Sequence, residues 1–290
     1  MRESLDREGG EPESVPSVQG AGLAGEMTFR VYQHMQNVHS HAFDEVARGL
    51  VEALKELGHE CDYSETHFKQ SASNIVLGPH LLTPAKLAAF KGHVIVYQME
   101  QLSESSPWWT PEYREVLWRA DVVWDMSSVN VEFLKRHGIK AHHVPLGWSA
   151  ANETIRRDQV KEKDVDLLFY GSMNKRRSQF LADVETTPLR LKKLFGVYGA
   201  ERDAWIARSK AVLNLHFYDV GLMEQPRVAY LLNNGVQVLS EEAQDNPWPM
   251  IHLDGPLYVR HGHDNFADRA IHQVIFRDQY PMKKFLKAVL

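Results

Sequence analysis

The chain is poor in cysteine and has no long apolar run. It holds a single cysteine, Cys61, so neither an intrachain disulfide nor a zinc site of the multi-cysteine kind can form. A reducing compartment suits such a chain, and we expect a cytoplasmic protein. No stretch approaches the roughly 18 apolar residues of a membrane-spanning helix, and no charged start followed by an apolar stretch opens the sequence. We therefore expect no transmembrane segment, which leaves peripheral contact with a membrane open.

Strong charge of either sign is also lacking. The formal net charge of -5 gives no global reason to expect a nucleic-acid partner, although a local basic patch stays open. Hydrophobic residues make up 43% and charged residues 24%, which is the balance of a globular protein. No G-x-G-x-x-G motif follows a predicted strand, and this disfavours a dehydrogenase. The length of 290 residues favours two compact units.

The chain does contain apolar runs that alternate with amphipathic segments. Short β-prone runs occupy residues 28–32, 74–78, 93–97 and 120–124, with helical spacing between them, as over residues 43–57. A second series starts at residue 165 and continues through runs at 194–198, 211–215 and 236–240. Strands that alternate with helices predict parallel sheets with right-handed connections. The fold class is therefore α/β, with doubly wound, Rossmann-like units.

The composition along the chain predicts its division into domains. Residues 1–26 are rich in Glu, Gly, Ser and Pro and cannot bury enough apolar surface to offset ordering entropy, so we expect a flexible tail. A first Rossmann-like domain is expected over residues 27–150, a polar, charged linker over 151–163 and a second Rossmann-like domain over 164–262. Residues 263–290 read as two helices that Pro281 separates.

One segment of the second half has the residues of an anion site. In "FYGSMNKRR", residues 169–177, a buried strand ends at Gly171 and a basic helix start follows. Free N–H groups of a helix start, together with Lys175, Arg176 and Arg177, can seat a diphosphate at the carboxyl end of a strand. A solvated basic turn after a core strand accounts for the spacing equally well.

A second polar segment covers residues 208–242. Its first strand has a polar end with His216 and Tyr218, and Glu224 and Arg227 precede the next helix. A further strand ends just before Glu241. Carboxylates at such strand ends can accept hydrogen bonds from ribose or sugar hydroxyls. Alternatively, Glu224 and Arg227, three apart at a helix start, form only a local ion pair.

The order of these segments resembles a known family. "DLLFYGSMNKRR", "YGAERDAWIARSKAVLNLHFYD" and "EQPRVAYLLNNGVQVLSEE" are similar to the donor half of B-fold (GT-B) glycosyltransferases of the group-1-like kind, in a bacterial and phage branch with mostly unassigned acceptors. "VIVYQMEQL", "ADVVWDMSSVN" and "HHVPLGW" in the first half are similar to the same branch. The resemblance implies two Rossmann-like domains that face a central cleft.

The resemblance also implies a substrate and a donor site. The donor would be a nucleotide diphosphate sugar bound mainly by the second domain, without any other cofactor, and the acceptor would enter the cleft from the side of the first domain. The 171–177 loop would hold phosphates, Glu224 and Arg227 would meet the sugar or diphosphate, and Glu241 the ribose. The predicted donor-binding residues are Gly171, Ser172, Asn174, Lys175, Arg176, Arg177, His216, Tyr218, Glu224, Arg227 and Glu241.

Two departures from the family pattern limit what it implies. Residues 33–41 replace the glycine-rich loop that often follows the first strand of the family. The paired-glutamate motif of many retaining members is missing, because Tyr230 stands where its second glutamate would be. Retention and inversion of configuration therefore both stay open.

Four residues of the first half are candidates for the catalytic base. They are His39, His41 and Asp44 after the first strand, and Glu100 after a later strand. Transfer to a hydroxyl needs a base within hydrogen-bond reach, and a histidine or a carboxylate can serve. The alternatives are loop histidines without a role and, for Asp44, stabilisation of a helix dipole.

Aromatic and metal-binding residue types complete the survey. The neighbouring Trp108 and Trp109, in a proline-flanked loop, are candidates for contact with the acceptor. Histidines cluster at three places, but none has the four-residue helical spacing of a zinc-protease pair or accompanying cysteines. B-fold relatives commonly work without a bound metal, and we expect no metal requirement.

The sequence thus predicts a glycosyltransferase that moves a sugar from a nucleotide diphosphate sugar to a saccharide, lipid, protein or modified nucleobase. Two alternatives remain. One is a nucleotide-sugar epimerase or hydrolase on the same fold, since fold does not decide function. The other is a non-catalytic binding module of GT-B type.

Overall fold

The computed structural model describes residues 26–256 and 270–290. Nearly all of the predicted flexible tail, and the start of the predicted C-terminal helical segment, therefore lie outside the described residues. Within the described ranges, no helix combines the length and the apolar character that crossing a bilayer requires.

The first sheet has six parallel strands in the order β2-β1-β3-β4-β5-β6. Its strands are β1 Thr28–Gln33, β2 Glu60–Ser64, β3 Ser73–Leu77, β4 Val94–Gln98, β5 Val122–Asp125 and β6 His142–His143. The helices that connect them are α1 Asp44–Glu56, α2 Pro84–Ala89, α3 Pro111–Arg119 and α4 Ser128–Arg136. Thr83, Thr110 and Ser127 cap α2, α3 and α4, each accepting a backbone N–H of its first turn.

The second sheet has four parallel strands in the order β10-β9-β7-β8. They are β7 Val165–Tyr170, β8 Leu191–Leu194, β9 Ser209–Asn214 and β10 Gln237–Ser240. The helices of this half are α5 Lys175–Glu185, α6 Gly199–Arg208, α7 Gln225–Asn233, α8 Ala270–Gln279 and α9 Met282–Lys287. Between the two sheets lie two short 3-10 helices, Ala150–Asn152 and Arg157–Gln159.

Both sheets bury apolar side chains on both faces. In the first sheet, the neighbours Val31 and Tyr32 pack into different clusters, and in the second Leu167 and Leu168 do the same. Alternate side chains of a strand point to opposite faces, so each sheet is covered by helices on both sides. This confirms the predicted α/β class with two doubly wound units. The boundaries proposed for the domains and linker stay predictions.

The end of the chain returns to the first unit. The backbone N–H of Trp148 donates to Tyr280 O at 2.8 Å, and that of Met282 donates to Trp148 O at 2.8 Å. A Cβ on Gly147 would lie 2.5 Å from Tyr280 O, so this close approach requires glycine. The final helix, α9, then packs against α1.

One predicted strand is wrong. The run at residues 194–198 is not a strand, because β8 ends at Leu194 and the following residues form a loop. Gly196 and Gly199, with φ of 68° and 56°, turn the chain there. The apolar side chains of this loop line the cleft rather than the core, which is why an apolar run misled the strand assignment.

Candidate active site

A cavity of about 440 Å³ lies between the two units, at the carboxyl ends of β4 and β7. Open α/β sheets bind ligands at this edge. The first unit contributes Glu45, Glu100 and Trp108 to its wall, among others. The second unit contributes Gly171, Arg177, Tyr198, Tyr218, Glu224 and Arg227, among others.

Gly171 directly follows β7 and lies against Arg227. Its φ of 138° belongs to a region that L side chains rarely adopt. A Cβ there would lie 2.7 Å from Nη2 of Arg227 and 3.6 Å from Nη1 of Arg177. Glycine at this position therefore lets two guanidinium groups approach the backbone at the cavity wall.

Arg227 has unused hydrogen-bonding capacity. Its Nη1 donates to Asn214 Oδ1 at 2.9 Å, and its guanidinium lies 5.2 Å from the ring centre of Tyr170. Nε of Arg227 and the hydroxyl of Tyr170 are both buried, and neither has a hydrogen-bond partner among residues 26–256 and 270–290. Leaving a buried polar group unpaired costs about 1–3 kcal/mol. Both residues line the cavity, so a small movement of either side chain would bring its unpaired group within reach of an oxygen atom of a ligand.

Arg177 is more fully engaged by the protein. It is 3% exposed, and it donates to Leu215 O from both Nε and Nη2, to Ser172 O from Nη1 and to Glu224 from Nη2. A guanidinium has five donors, so these four contacts leave one N–H on Nη1 for a ligand. Burial and the nearby charge of Arg227 lower the pKa of Arg177 to about 10, so it stays charged at neutral pH.

Glu224 and Arg227 do not simply form the local pair considered from the sequence. Oε2 of Glu224 lies 3.1 Å from Nδ1 of His216, and its Oε1 lies 3.3 Å from Nη2 of Arg177. Burial favours the neutral form of Glu224, but the hydrogen bond to His216 and the charges of Arg227, His216 and Arg177 outweigh it and lower its pKa. Glu224 is therefore an anion beside two cations, Arg177 and Arg227. We call this side of the cavity, lined by the two arginines and Glu224, the cationic wall.

Arg176 and Glu241 are brought together behind this wall. Nη1 and Nη2 of Arg176 lie 2.7 and 2.5 Å from the two carboxylate oxygens of Glu241. Glu241 also accepts the backbone N–H of His216 at 2.6 Å. Neither side chain lines the cavity as the structure stands. Contact with phosphate or ribose would require this pair to separate, so both assignments stay predictions.

The other predicted donor residues divide into two groups. Ser172 and Tyr218 line the cavity, whereas Asn174 and Lys175 do not. Asn174 caps α5, accepting the N–H of Arg177 at 2.8 Å and donating to Phe217 O at 2.7 Å. Lys175 is exposed on the outer side of the helix start.

Among the four candidate bases, Glu100 alone lines the cavity. Its carboxylate Oε1 lies 3.5 Å from Nε2 of His80, and burial raises the pKa of Glu100 to about 7. Burial and the nearby His34 lower the pKa of His80 to about 4, so that imidazole is neutral and does not hold Glu100 ionised. The backbone carbonyl of Glu100 accepts from Gln98 and Asn130, both at 2.8 Å, which fixes the loop.

The remaining three candidates lie outside the cavity wall. His39 Nδ1 lies 3.0 Å from the hydroxyl of Tyr198, across the mouth of the cleft. Asp44 receives a hydrogen bond from Gln33 at 2.7 Å and lies 3.0 Å from Nδ1 of His41. Asp44 is also the first residue of α1, where a carboxylate favours the helix dipole.

The two tryptophans of the 108–109 pair have different surroundings. Trp108 lines the cavity, and its Nε1 donates to the hydroxyl of Tyr218 at 3.0 Å, so it joins the two units. Trp109 is buried against Phe133 and His137, with ring centres 4.9 Å away in both cases. Only Trp108 is therefore available to a ligand.

The structure adds an ion pair that the sequence did not indicate. Glu45 of α1 accepts from Nη2 of Arg202 of α6 at 2.8 Å, and the two side chains are 7% and 5% exposed. Arg202 also pairs with Asp203 at 2.8 Å and lies 4.6 Å from the ring centre of Tyr230. The sequence of each helix contains the charged residue, but no local pattern identifies its partner, which lies 157 positions away in the chain.

The described residues offer no assembled metal site. In residues 26–256 and 270–290, no three His, Cys, Asp or Glu side chains come together as ligands. An Asp-X-Asp triplet, residues 164–166, is present in the sequence, and it lies at the amino end of β7. Its carboxylates pair with Arg208, Arg190 and Lys210, away from the cleft edge. Independence from metals stays a prediction.

Two Rossmann-like units that face each other across a cleft define the GT-B architecture. No protein-family model matches the sequence, and no curated protein matches it. Among solved structures, the chain is similar to T4 phage BGT in complex with its UDP-glucose substrate, with 12% identity, a TM-score of 0.47, and coverage of 90% of this chain and 95% of that one.

Two protein complexes give similarities with lower TM-scores. For the Gap123 glycosylation-associated protein complex of Streptococcus agalactiae, identity is 11% and the TM-score 0.39, over 77% of this chain and 55% of that chain. For a GtfA/B complex bound to UDP and GlcNAc, identity is 10% and the TM-score 0.31, over 75% and 56%. The chain thus spans little more than half the length of these two relatives. Similarity at this level does not indicate which reaction the protein catalyses, so its function has to be argued from the residues of the cavity.

Proposed function

We propose that the protein is a glycosyltransferase that moves a sugar from a nucleotide diphosphate sugar to an acceptor hydroxyl in the cleft. The observation that carries this proposal is the pair of buried, unpartnered groups beside Gly171, Nε of Arg227 and the hydroxyl of Tyr170. Both groups can donate a hydrogen bond, so the ligand that completes them offers acceptor oxygens. Phosphate oxygens are acceptors of this kind, and a guanidinium binds them with matching geometry.

The cationic wall suits a leaving diphosphate. As the bond between the sugar and the phosphate breaks, its electron pair and the negative charge stay on the nucleoside diphosphate. Arg227, with its free Nε, and the remaining N–H of Arg177 would stabilise that charge. Fixed donors in a water-poor site stabilise developing charge strongly, because they need no reorganisation during the reaction.

Glu100 is the base that we assign on the opposite wall. With a pKa of about 7, a large fraction of its carboxylate is ionised near neutral pH and can still accept a proton effectively. It would take the hydroxyl proton of the acceptor while the acceptor oxygen bonds to the anomeric carbon. Trp108, on the same wall, offers a flat apolar surface for a sugar or another ring.

Calorimetric titration with ADP, CDP, GDP, TDP and UDP tests the donor site. We expect at least one of them to bind, and Arg227→Ala to weaken it about 10- to 100-fold through loss of a charge-assisted contact. Arg208→Ala is the matched control, because it removes the same charge from an ion pair with Asp164 at the opposite edge of the sheet. Equal affinity of the Arg227 and Arg208 variants would contradict the placement.

Product analysis separates the proposed activity from its alternatives. Incubation with the donor alone would release free sugar or an isomer from a hydrolase or epimerase, whereas a transferase requires an acceptor for rapid turnover. A non-catalytic module would show neither reaction. Supplying saccharides, lipids, proteins and modified nucleobases in turn would then identify the acceptor class.

A further inference from the structure

His216 occupies a buried position behind the cationic wall. Its side chain is 4% exposed and does not line the cavity, so it is not placed to touch a donor directly. Nδ1 lies 3.1 Å from the Glu224 carboxylate, and Nε2 lies 2.9 Å from the backbone carbonyl of Glu242. Both partners only accept hydrogen bonds, so both ring nitrogens must carry a proton. The geometry therefore defines a buried imidazolium.

The charges that face His216 come from three elements. Glu224 at the start of α7 and Glu241 after β10 are anions, and Arg176 of α5 donates to the His216 carbonyl at 3.1 Å. Burial opposes protonation, but the hydrogen bond and charge of Glu224, the Glu242 carbonyl and the charge of Glu241 outweigh it, and the pKa of His216 is raised. The direction of this shift agrees with the doubly protonated ring that the two accepting partners require.

The balance of charge at the wall depends on this proton. Arg176 and Glu241 neutralise each other through their paired contacts. Arg177, Arg227 and protonated His216 then face the single carboxylate of Glu224, which leaves two positive charges in excess. The diphosphate of a nucleotide sugar carries roughly two negative charges at neutral pH. Deprotonated His216 would halve the excess and free Glu224 to compete with phosphate for the two arginines.

We propose that His216 is a positioning residue for the donor: its imidazolium occupies Oε2 of Glu224, so that only Oε1 of this carboxylate contacts an arginine, and it supplies part of the charge that a diphosphate requires. Donor affinity therefore falls when pH rises and His216 loses its proton. This inference rests on the proposed function, because it assigns His216 a task in the same donor site. It replaces the direct donor contact predicted for His216 from the sequence.

The test uses the nucleoside diphosphate that binds best in the panel above. Its dissociation constant is measured from about pH 7 to pH 8.5, where the terminal phosphate, with a second pKa near 6, is already ionised and Arg177, with a pKa of about 10, keeps its charge. Wild-type affinity should fall about tenfold over this range, as expected for the loss of one nearby opposite charge. His216→Asn should bind about tenfold more weakly at pH 7 and vary little with pH.

His93→Asn is the matched control, since His93 is exposed and contacts Ser73 Oγ at 3.1 Å in the first unit. It should follow the wild-type profile. Glu224→Gln removes the anion that stabilises the proton on His216, so it should shift the pH-dependent loss of affinity to lower pH. This variant also tests the inference if His216→Asn does not fold. A folded His216→Asn with wild-type affinity and pH profile overturns the inference while the proposed function stands. Absence of nucleotide binding by the wild type overturns both.

Discussion

The buried Glu45–Arg202 pair gives the sharpest prediction about how the two units are held together. The pair joins α1 of the first unit to α6 of the second, with both side chains less than a tenth exposed. Removing one partner of a buried pair leaves a charge without compensation and typically costs about 3–5 kcal/mol. The cost should differ between the two partners, because each keeps a different second neighbour.

Arg202→Met should be the more damaging change. It leaves Glu45 buried with Arg48 at 3.6 Å as its remaining cation, so we expect a loss of about 3–5 kcal/mol of unfolding free energy. Glu45→Gln leaves Arg202 with Asp203 at 2.8 Å, and the amide oxygen can still accept from the guanidinium, so about 1–3 kcal/mol is expected. The double variant should lose less than the sum, by about 1–3 kcal/mol.

Urea unfolding followed by tryptophan fluorescence measures these differences. Arg208→Met is the matched control, because it removes an exposed ion pair with Asp164 inside the second unit and should change stability little. If Arg202→Met is no more destabilising than Arg208→Met, or if Glu45→Gln costs more than Arg202→Met, the reasoning about this pair is wrong.

Three further outcomes follow from the site. Gly171→Ala should weaken nucleoside diphosphate binding about tenfold or more, because the new methyl would lie 2.7 Å from Nη2 of Arg227. The control is Gly58→Ala, which also places a methyl at a positive φ, of 85°, but has no atom within 4 Å of its Cβ and lies outside the cavity wall, so it should leave binding unchanged. In the wild type, kcat/KM should rise with pH through about 7 as Glu100 ionises. Glu100→Gln should reduce kcat about 10²- to 10⁴-fold and abolish this rise. If the variant keeps the pH profile of the wild type, Glu100 is not the base. Turnover should continue in the presence of a strong chelator. If the chelator abolishes turnover and added divalent metal restores it, the protein depends on a metal.

The strands and helices could be predicted largely because their signals are local. Buried parallel strands read as short apolar runs, and β4, with all five residues buried, shows the pattern most clearly. The 195–198 loop shows where this fails, since apolar side chains that face a cleft look like those that face a core. The two neighbouring tryptophans, one in the cavity and one in the core, are a second example.

The site could be predicted only in outline, for a related reason. Parallel strand ends meet at one edge, and Gly171, Arg177, Glu224 and Arg227 all line the cavity there. That they bind a donor stays a prediction. The spacing of residues could not show which of these side chains form hydrogen bonds within the protein. Their partners, such as Leu215 for Arg177, come from other elements of the fold. The division between ligand-facing and supporting residues is therefore a property of the packed structure.

That division changes the meaning of the basic run at residues 175–177. From the sequence, its three cations look like a single phosphate-binding group. In the fold, each of them has different surroundings. Lys175 is exposed, Arg176 is paired with Glu241, and Arg177 is buried with one donor left. The most available guanidinium belongs instead to Arg227, fifty residues later, where Gly171 makes room for it. A diphosphate would therefore be held chiefly by the start of α7, with the basic run shaping the wall behind it.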